Sequence, residues 1–133
     1  MDSVSKKLLF VPAALFIAFS CATGFYLLHG EPAIHDLFAS GKNHMLCFGF
    51  SAILLGYVLT HVKGLTSAAY RTVAALYLIS YILPFGLMYA GFAGDPGVLK
   101  YTTPIGGTVI TFLWLYAGIL ILARVEKDGK KKK

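Results

Sequence analysis

The sequence predicts an all-α integral membrane protein, a four-helix bundle formed as a single domain over residues 1–133. Three observations predict it. Hydrophobic residues make up 57% of the chain and charged residues only 14%, whereas a soluble domain usually carries about 25% charged residues. The charges leave four long gaps, and Lys and Arg gather at alternate ends of those gaps. This composition excludes a disordered chain, a nucleic-acid-binding basic domain and a disulfide-rich secreted fold. A chain of 133 residues is also too short for a soluble core beside several spans.

The first gap, Leu8–Leu28, holds 21 residues without a charge and predicts a helix over about 8–28. A helix rises 1.5 Å per residue, so about 20 residues cross a hydrocarbon layer of about 30 Å. Lys6-Lys7 followed by an apolar run imitates a secretory signal, but the run is longer than a signal core of about 7–15 residues. Asp2 and the lack of arginines argue against a transit peptide, so this segment is expected to be a retained first helix. Gly30 and Pro32 stop it. In the loop that follows, Ile34, Leu37 and Phe38 have the spacing of a short interfacial helix.

The second gap, Asn43–Thr60, gives 18 residues and a helix over about 44–61. A short basic turn then leads to the third, Thr72–Gly94, with 23 residues and a helix over about 72–93. Pro84 lies midway along it and is expected to kink it. The sequence Gly94-Asp95-Pro96-Gly97 marks a turn. The fourth gap, Tyr101–Ala123, has another 23 residues. Thr103 and Pro104 there read as N-cap and first helical residue, starting a helix over about 103–124. Residues 126–133 form a basic tail. Backbone amides in lipid must be satisfied internally, and none of these runs alternates like a barrel strand, so all four are read as helices.

Lipid offers no hydrophobic force between helices, so small residues must carry the packing. Ala14, Ala18 and Ala22 recur in the first helix, Ala52 and Gly56 in the second, and Gly86 and Ala90 in the third. Pro104, Gly106 and Gly107 open the fourth. Gly86, Ala90, Pro104, Gly106 and Gly107 are the helix-packing candidates.

Four spans put both termini on one side. Ten of the twelve Lys and Arg residues fall there, leaving Lys42 and Lys100 opposite. By the positive-inside rule that side is the cytosol, or the matrix of a mitochondrion. Lys6, Lys7, Lys63, Arg71, Arg124 and Lys127 are the expected contacts to anionic lipid. Lys130–Lys133 can serve as such a flank, dock an acidic partner, or act as a dilysine retrieval signal of the endoplasmic reticulum.

No charged residue falls within a gap, and ion or proton paths usually show themselves by such residues. Nor is there a phosphate loop, an H-E-x-x-H or a C-x-x-C. A channel, pump or intramembrane protease is therefore disfavoured, and no catalytic residue is assigned. His29, His35 and His44 lie near the acidic side, where with Glu31 or Asp36 they are weak candidates for a metal, and His29 with His44 for haem. His61, 17 residues from His44, lies roughly 25 Å away at the other side. Cys21 and Cys47 read as small apolar residues without a disulfide. Trp114, at mid-span, is expected to pack on a neighbour, and Tyr26, Tyr57, Tyr70, Tyr89 and Tyr101 to anchor helix ends at the interface.

In order, these features resemble the small membrane-protein family called domain of unknown function 423, which includes transmembrane protein 256. His29-Gly30 is like that family's A-H-G. N-H-M-L-C-F-G-F-S-A-I-L-L-G (Asn43–Gly56) resembles its Y-H-x-x-H-A-x-x-L-L. P-F-G-L-M-Y (Pro84–Tyr89) is like F-S-G-S-L-Y, and T-P-I-G-G (Thr103–Gly107) before Trp114 resembles T-P-I-G-G followed by a tryptophan. The likeness runs from about Leu8 to Arg124; Phe48 stands where the family often has a second histidine, and Pro84-Phe85 where it has Phe-Ser. The resemblance implies a four-helix membrane fold found in bacteria and in eukaryotic mitochondria, with no established reaction.

The function expected from all this is a non-catalytic accessory subunit of a larger membrane assembly, foremost a respiratory-chain complex or supercomplex of the mitochondrial inner membrane. Its expected partners are other membrane subunits and an anionic phospholipid such as cardiolipin, with no nucleic acid and no cofactor. A small metal- or haem-binding membrane protein using His29, His35 and His44 is the alternative. A small transporter broken at Pro84 and Gly86 is the second.

Overall fold

The structure, a computed structural model, describes residues 3–29 and 36–130, with side chains described within 3–24 (Ser5 aside) and 36–124. Among the described residues every regular element is helical: α1 (Ser3–His29), α2 (Asp36–His61), α3 (Ser67–Ser80), α4 (Ile82–Ala93), a single 3₁₀ turn (Pro96–Val98) and α5 (Leu99–Lys130). Four stretches are long and apolar enough to cross a membrane: Lys6–Gly24, Asp36–His61, Ser67–Ala93 and Pro96–Arg124.

All four spans begin as helix earlier than their charge-free runs, α1 at Ser3. Of the three residues expected in an interfacial helix, Leu37 and Phe38 belong to the first turn of α2, and Ile34 lies outside the described residues. Nothing between Asp36 and Asn43 breaks a helix, and Asp36 in the first turn suits the positive end of the helix dipole. α3 starts at Ser67 because the Thr66 hydroxyl accepts from the Ala69 amide at 3.3 Å, so Arg71 lies inside it. Pro104, expected at the first helical position, lies inside α5 instead. The start signal is Asp95-Pro96, where the Asp95 carboxylate accepts from the Gly97 amide at 2.9 Å.

The third span is two helices, divided at Tyr81. Proline has no amide to give the carbonyl four residues back, and its ring crowds that carbonyl. For Pro84 that carbonyl belongs to Ser80, the last residue of α3. Hydrogen bonds bridge the break, from the Tyr81 amide to the Tyr77 carbonyl at 3.3 Å and from the Phe85 amide to the Tyr81 carbonyl at 3.1 Å. The two halves lean on different neighbours. α3 packs against α1 and α5, while α4 packs against α2 and α5.

Successive spans run antiparallel. A side chain at Gly56 would meet Leu9 and Phe10, one at Gly49 would meet Ile17 and Ala13, and one at Gly24 would meet Lys42. These three levels pair α1 and α2 along their length. At one end of the bundle Leu9, Leu55, Leu59, Tyr70, Val73, Tyr77, Leu113 and Ala117 form the larger core cluster. Towards the other end Phe38, Met45, Tyr81 and Met88 form the smaller. The outside is as apolar as the inside: Leu15, Leu54, Phe112, Ile119 and Leu122 are each more than half exposed. A surface this apolar suits lipid or partner helices better than water.

Candidate functional site

Several of the polar groups inside the spans lie at the break, while buried Ser20 donates to the Lys42 carbonyl at 2.7 Å elsewhere. The Tyr77 hydroxyl donates to Ser51 Oγ at 3.0 Å, Ser51 Oγ donates to the Phe48 carbonyl at 3.0 Å, and Ser80 Oγ donates to the Tyr77 carbonyl at 2.7 Å. Tyr81 is 2% exposed, and its hydroxyl is the one buried side-chain polar atom among the described residues with no hydrogen-bond partner. Its ring is held by Phe16, with centroids 4.1 Å apart, and by Phe48 at 5.9 Å. The break thus holds a saturated hydroxyl network next to one unpaired phenol. Thr111, on α5, donates to its own helix at Gly107 O, 2.8 Å away.

Around this region the helices touch through glycine. A Cβ at Gly86 would fall 2.1 Å from Thr102 Oγ1, and one at Gly106 would fall 2.5 Å from Leu83 Cβ, so α4 and α5 meet at backbone distance. Ala90 is 1% exposed. A Cβ at Gly41 would fall 2.6 Å from Met88 N and 2.7 Å from Pro84 O, and one at Gly91 would run into Phe38 N. Gly41, Gly49 and Gly91 were missed in the sequence. Their signal was a run of small residues at spacings of three, four and eight along α2 (Gly41, Gly49, Ala52, Gly56), which a search for strict four-residue pairs overlooks.

Gly107 and Pro104 do not belong to those contacts. Pro104 is exposed, and nothing lies within 4 Å of a Cβ placed on Gly107 or on Gly118. Trp114 is 44% exposed, and Thr111 is exposed as well. At 100° per residue Gly107, Thr111, Trp114 and Gly118 fall within an arc of about 60°. They form one outward stripe on α5, and Trp114 stands roughly 6 Å from the middle of the Pro96–Arg124 span.

The interface anchors divide. Tyr57, Tyr89 and Tyr101 are exposed, but Tyr70 is 4% exposed and its hydroxyl donates to the Leu59 carbonyl, tying the start of α3 to the end of α2. Tyr26 lies outside the described side chains. Cys21 and Cys47 are free and exposed. His44 keeps Nδ1 against the Ser40 carbonyl at 2.8 Å, a contact in which that nitrogen donates. His35 and the His29 side chain lie outside the described residues, and among those described no three His, Cys, Asp or Glu gather as a metal site. Lys6, Lys7, Lys63, Arg71 and Arg124 are found at the end of the bundle that holds Leu9, Leu59, Tyr70 and Ala117; the Lys127 side chain lies outside the described residues.

Among the described residues, four helices long and apolar enough to cross a membrane suggest the class of multi-pass α-helical membrane proteins. No protein-family model, curated protein or solved structure matches the chain.

Proposed function

We propose that this chain is a non-catalytic subunit of a larger membrane assembly. The observation that carries the reading is the outward stripe of α5. A glycine facing lipid weakens its helix and buries nothing, whereas a glycine facing another helix lets two backbones approach. Trp114 supports the same reading. Tryptophan favours the membrane–water interface, where its N–H meets water, and near mid-depth only a neighbouring protein can supply an acceptor. A partner helix seated over Gly107, Thr111, Trp114 and Gly118 satisfies both residues at once. The polar groups at the break support a structural part too, since all but one are spent within the bundle.

The resemblance to the domain of unknown function 423 family extends the proposal to the mitochondrial inner membrane and to a respiratory-chain complex, with the basic end facing the matrix. The test is extraction of native membranes in digitonin, blue-native electrophoresis, and detection of this chain by mass spectrometry. Migration with a large complex is expected and identifies it. Migration near the chain's own mass overturns the proposal and directs attention to metal analysis of His29, His35 and His44.

A further inference from the structure

The end of the bundle where α2 turns into α3 collects cations from every span. Arg124, the last residue of the Pro96–Arg124 span, reaches across to that turn: its Nη1 lies 3.2 Å from where a Cβ on Gly64 would be. Gly64 has φ +74°, a conformation that favours glycine, and the missing side chain leaves the guanidinium room against the turn. Lys63 precedes it and is exposed. Arg71 stands next to Tyr70, whose bond to Leu59 fixes α3 against the end of α2. Lys6 and Lys7 lie within one turn of Leu9 on α1. The described carboxylates, Asp36 and Asp95, begin α2 and follow α4, both at the opposite end.

Arg124 is partly buried, and no described group accepts a hydrogen bond from it. A guanidinium in that position presents a planar fork that matches two oxygens of a phosphate. The depth selects the source. These cations stand where apolar spans end, at the level of lipid headgroups, and the flanks between them and mid-span expose Leu8, Val11 and Leu122 to acyl chains. We infer that the α2–α3 turn and Arg124 form a binding site for the phosphate of an anionic phospholipid, with Arg124 as the bidentate contact and Lys63 and Arg71 beside it. The inference rests on the membrane placement proposed above and is independent of any protein partner.

The test uses the full chain in nanodiscs of phosphatidylcholine with a minor share of phosphatidylglycerol, and native mass spectrometry of the lipid it retains. The wild type should retain phosphatidylglycerol preferentially. R124Q should lower that preference about tenfold or more, as for loss of a charge-assisted contact. R124K keeps the charge but not the fork and should lose most of the preference as well. K63Q, on an exposed turn, should lose about fivefold and serves if R124Q does not fold. K100Q at the other end should change nothing.

Wild-type retention in R124K, or an equal loss in K100Q, would show diffuse charge and overturn the site. Full competition by millimolar inorganic phosphate would show a soluble-anion site and overturn the lipid assignment. Failure of the chain to enter pure phosphatidylcholine discs would instead overturn the membrane placement beneath it.

Discussion

Tyr77 and Tyr81 lie one helical turn apart on the same span, yet loss of their hydroxyls should move stability in opposite directions. Tyr77→Phe removes the donor to Ser51 Oγ at 3.0 Å. Double-mutant cycles in a membrane bundle put such bonds at about 0.6 kcal/mol on average, so a loss of about 0.5–1 kcal/mol is expected. Tyr81→Phe removes a hydroxyl that is buried without a partner. Leaving such a group unpaired costs about 1–3 kcal/mol, and its deletion should recover about 1 kcal/mol. The ring is retained in both variants, so contacts of Tyr81 with Phe16 at 4.1 Å and Phe48 at 5.9 Å persist and apolar burial barely changes. The assay is reversible unfolding by SDS in mixed micelles, followed by circular dichroism, with both variants and the double variant. A destabilised Tyr81→Phe would mean that the hydroxyl has a partner in the folded protein, and the account of the break given above would be wrong.

The other predictions concern packing, assembly and placement. Gly41→Ala puts a Cβ 2.6 Å from Met88 N and 2.7 Å from Pro84 O, both backbone, so α2 and α4 must part; a loss of about 1–3 kcal/mol is expected in the same assay. Gly107→Leu and Gly118→Leu meet open space and should leave the isolated chain within about 0.5 kcal/mol of wild type. The same two variants should abolish co-migration with a large complex on blue-native gels, and unchanged migration would remove the stripe as an interface. Cys21 and Cys47 are exposed on the protein, and the proposed membrane placement puts both within spans, out of reach of an aqueous reagent. An aqueous maleimide should label neither in intact membranes and both after SDS; labelling of both in membranes would refute the spans.

Four spans were legible because the physics behind them is one-dimensional: a run of about 20 residues without charge leaves a helix little choice in lipid. Helix starts were less legible, because charge marks where a helix meets the headgroups and not where its hydrogen bonds begin. Thr66 and Asp95, two short capping side chains, set the starts of α3 and the 3₁₀ turn before α5. Pro84 announced a kink, but the proline displaces the break three residues back, onto Tyr81. Which tyrosines anchor and which are buried could not be read at all. Tyr57 and Tyr70 both sit near helix ends, and only the approach of α3 to Leu59 buries the second. The same holds for glycine: Gly106 and Gly107 are adjacent, and the 100° between them sends one to Leu83 and the other outward.

The division of the third span also imposes an order of assembly. α1 and α2 meet at three levels from Leu9 to Gly24, so this hairpin can close once both segments have been made. α5 docks on α3 and α4, and before the third span has inserted it has no seat in the bundle. Because α4 settles on α2 while α3 settles on α1, the third span locks the early hairpin on both members before the last helix arrives. The bundle can therefore mature in the order in which it is synthesised, each helix joining neighbours already in place. Its final segment, the last to be held, is also the one that carries the uncovered stripe.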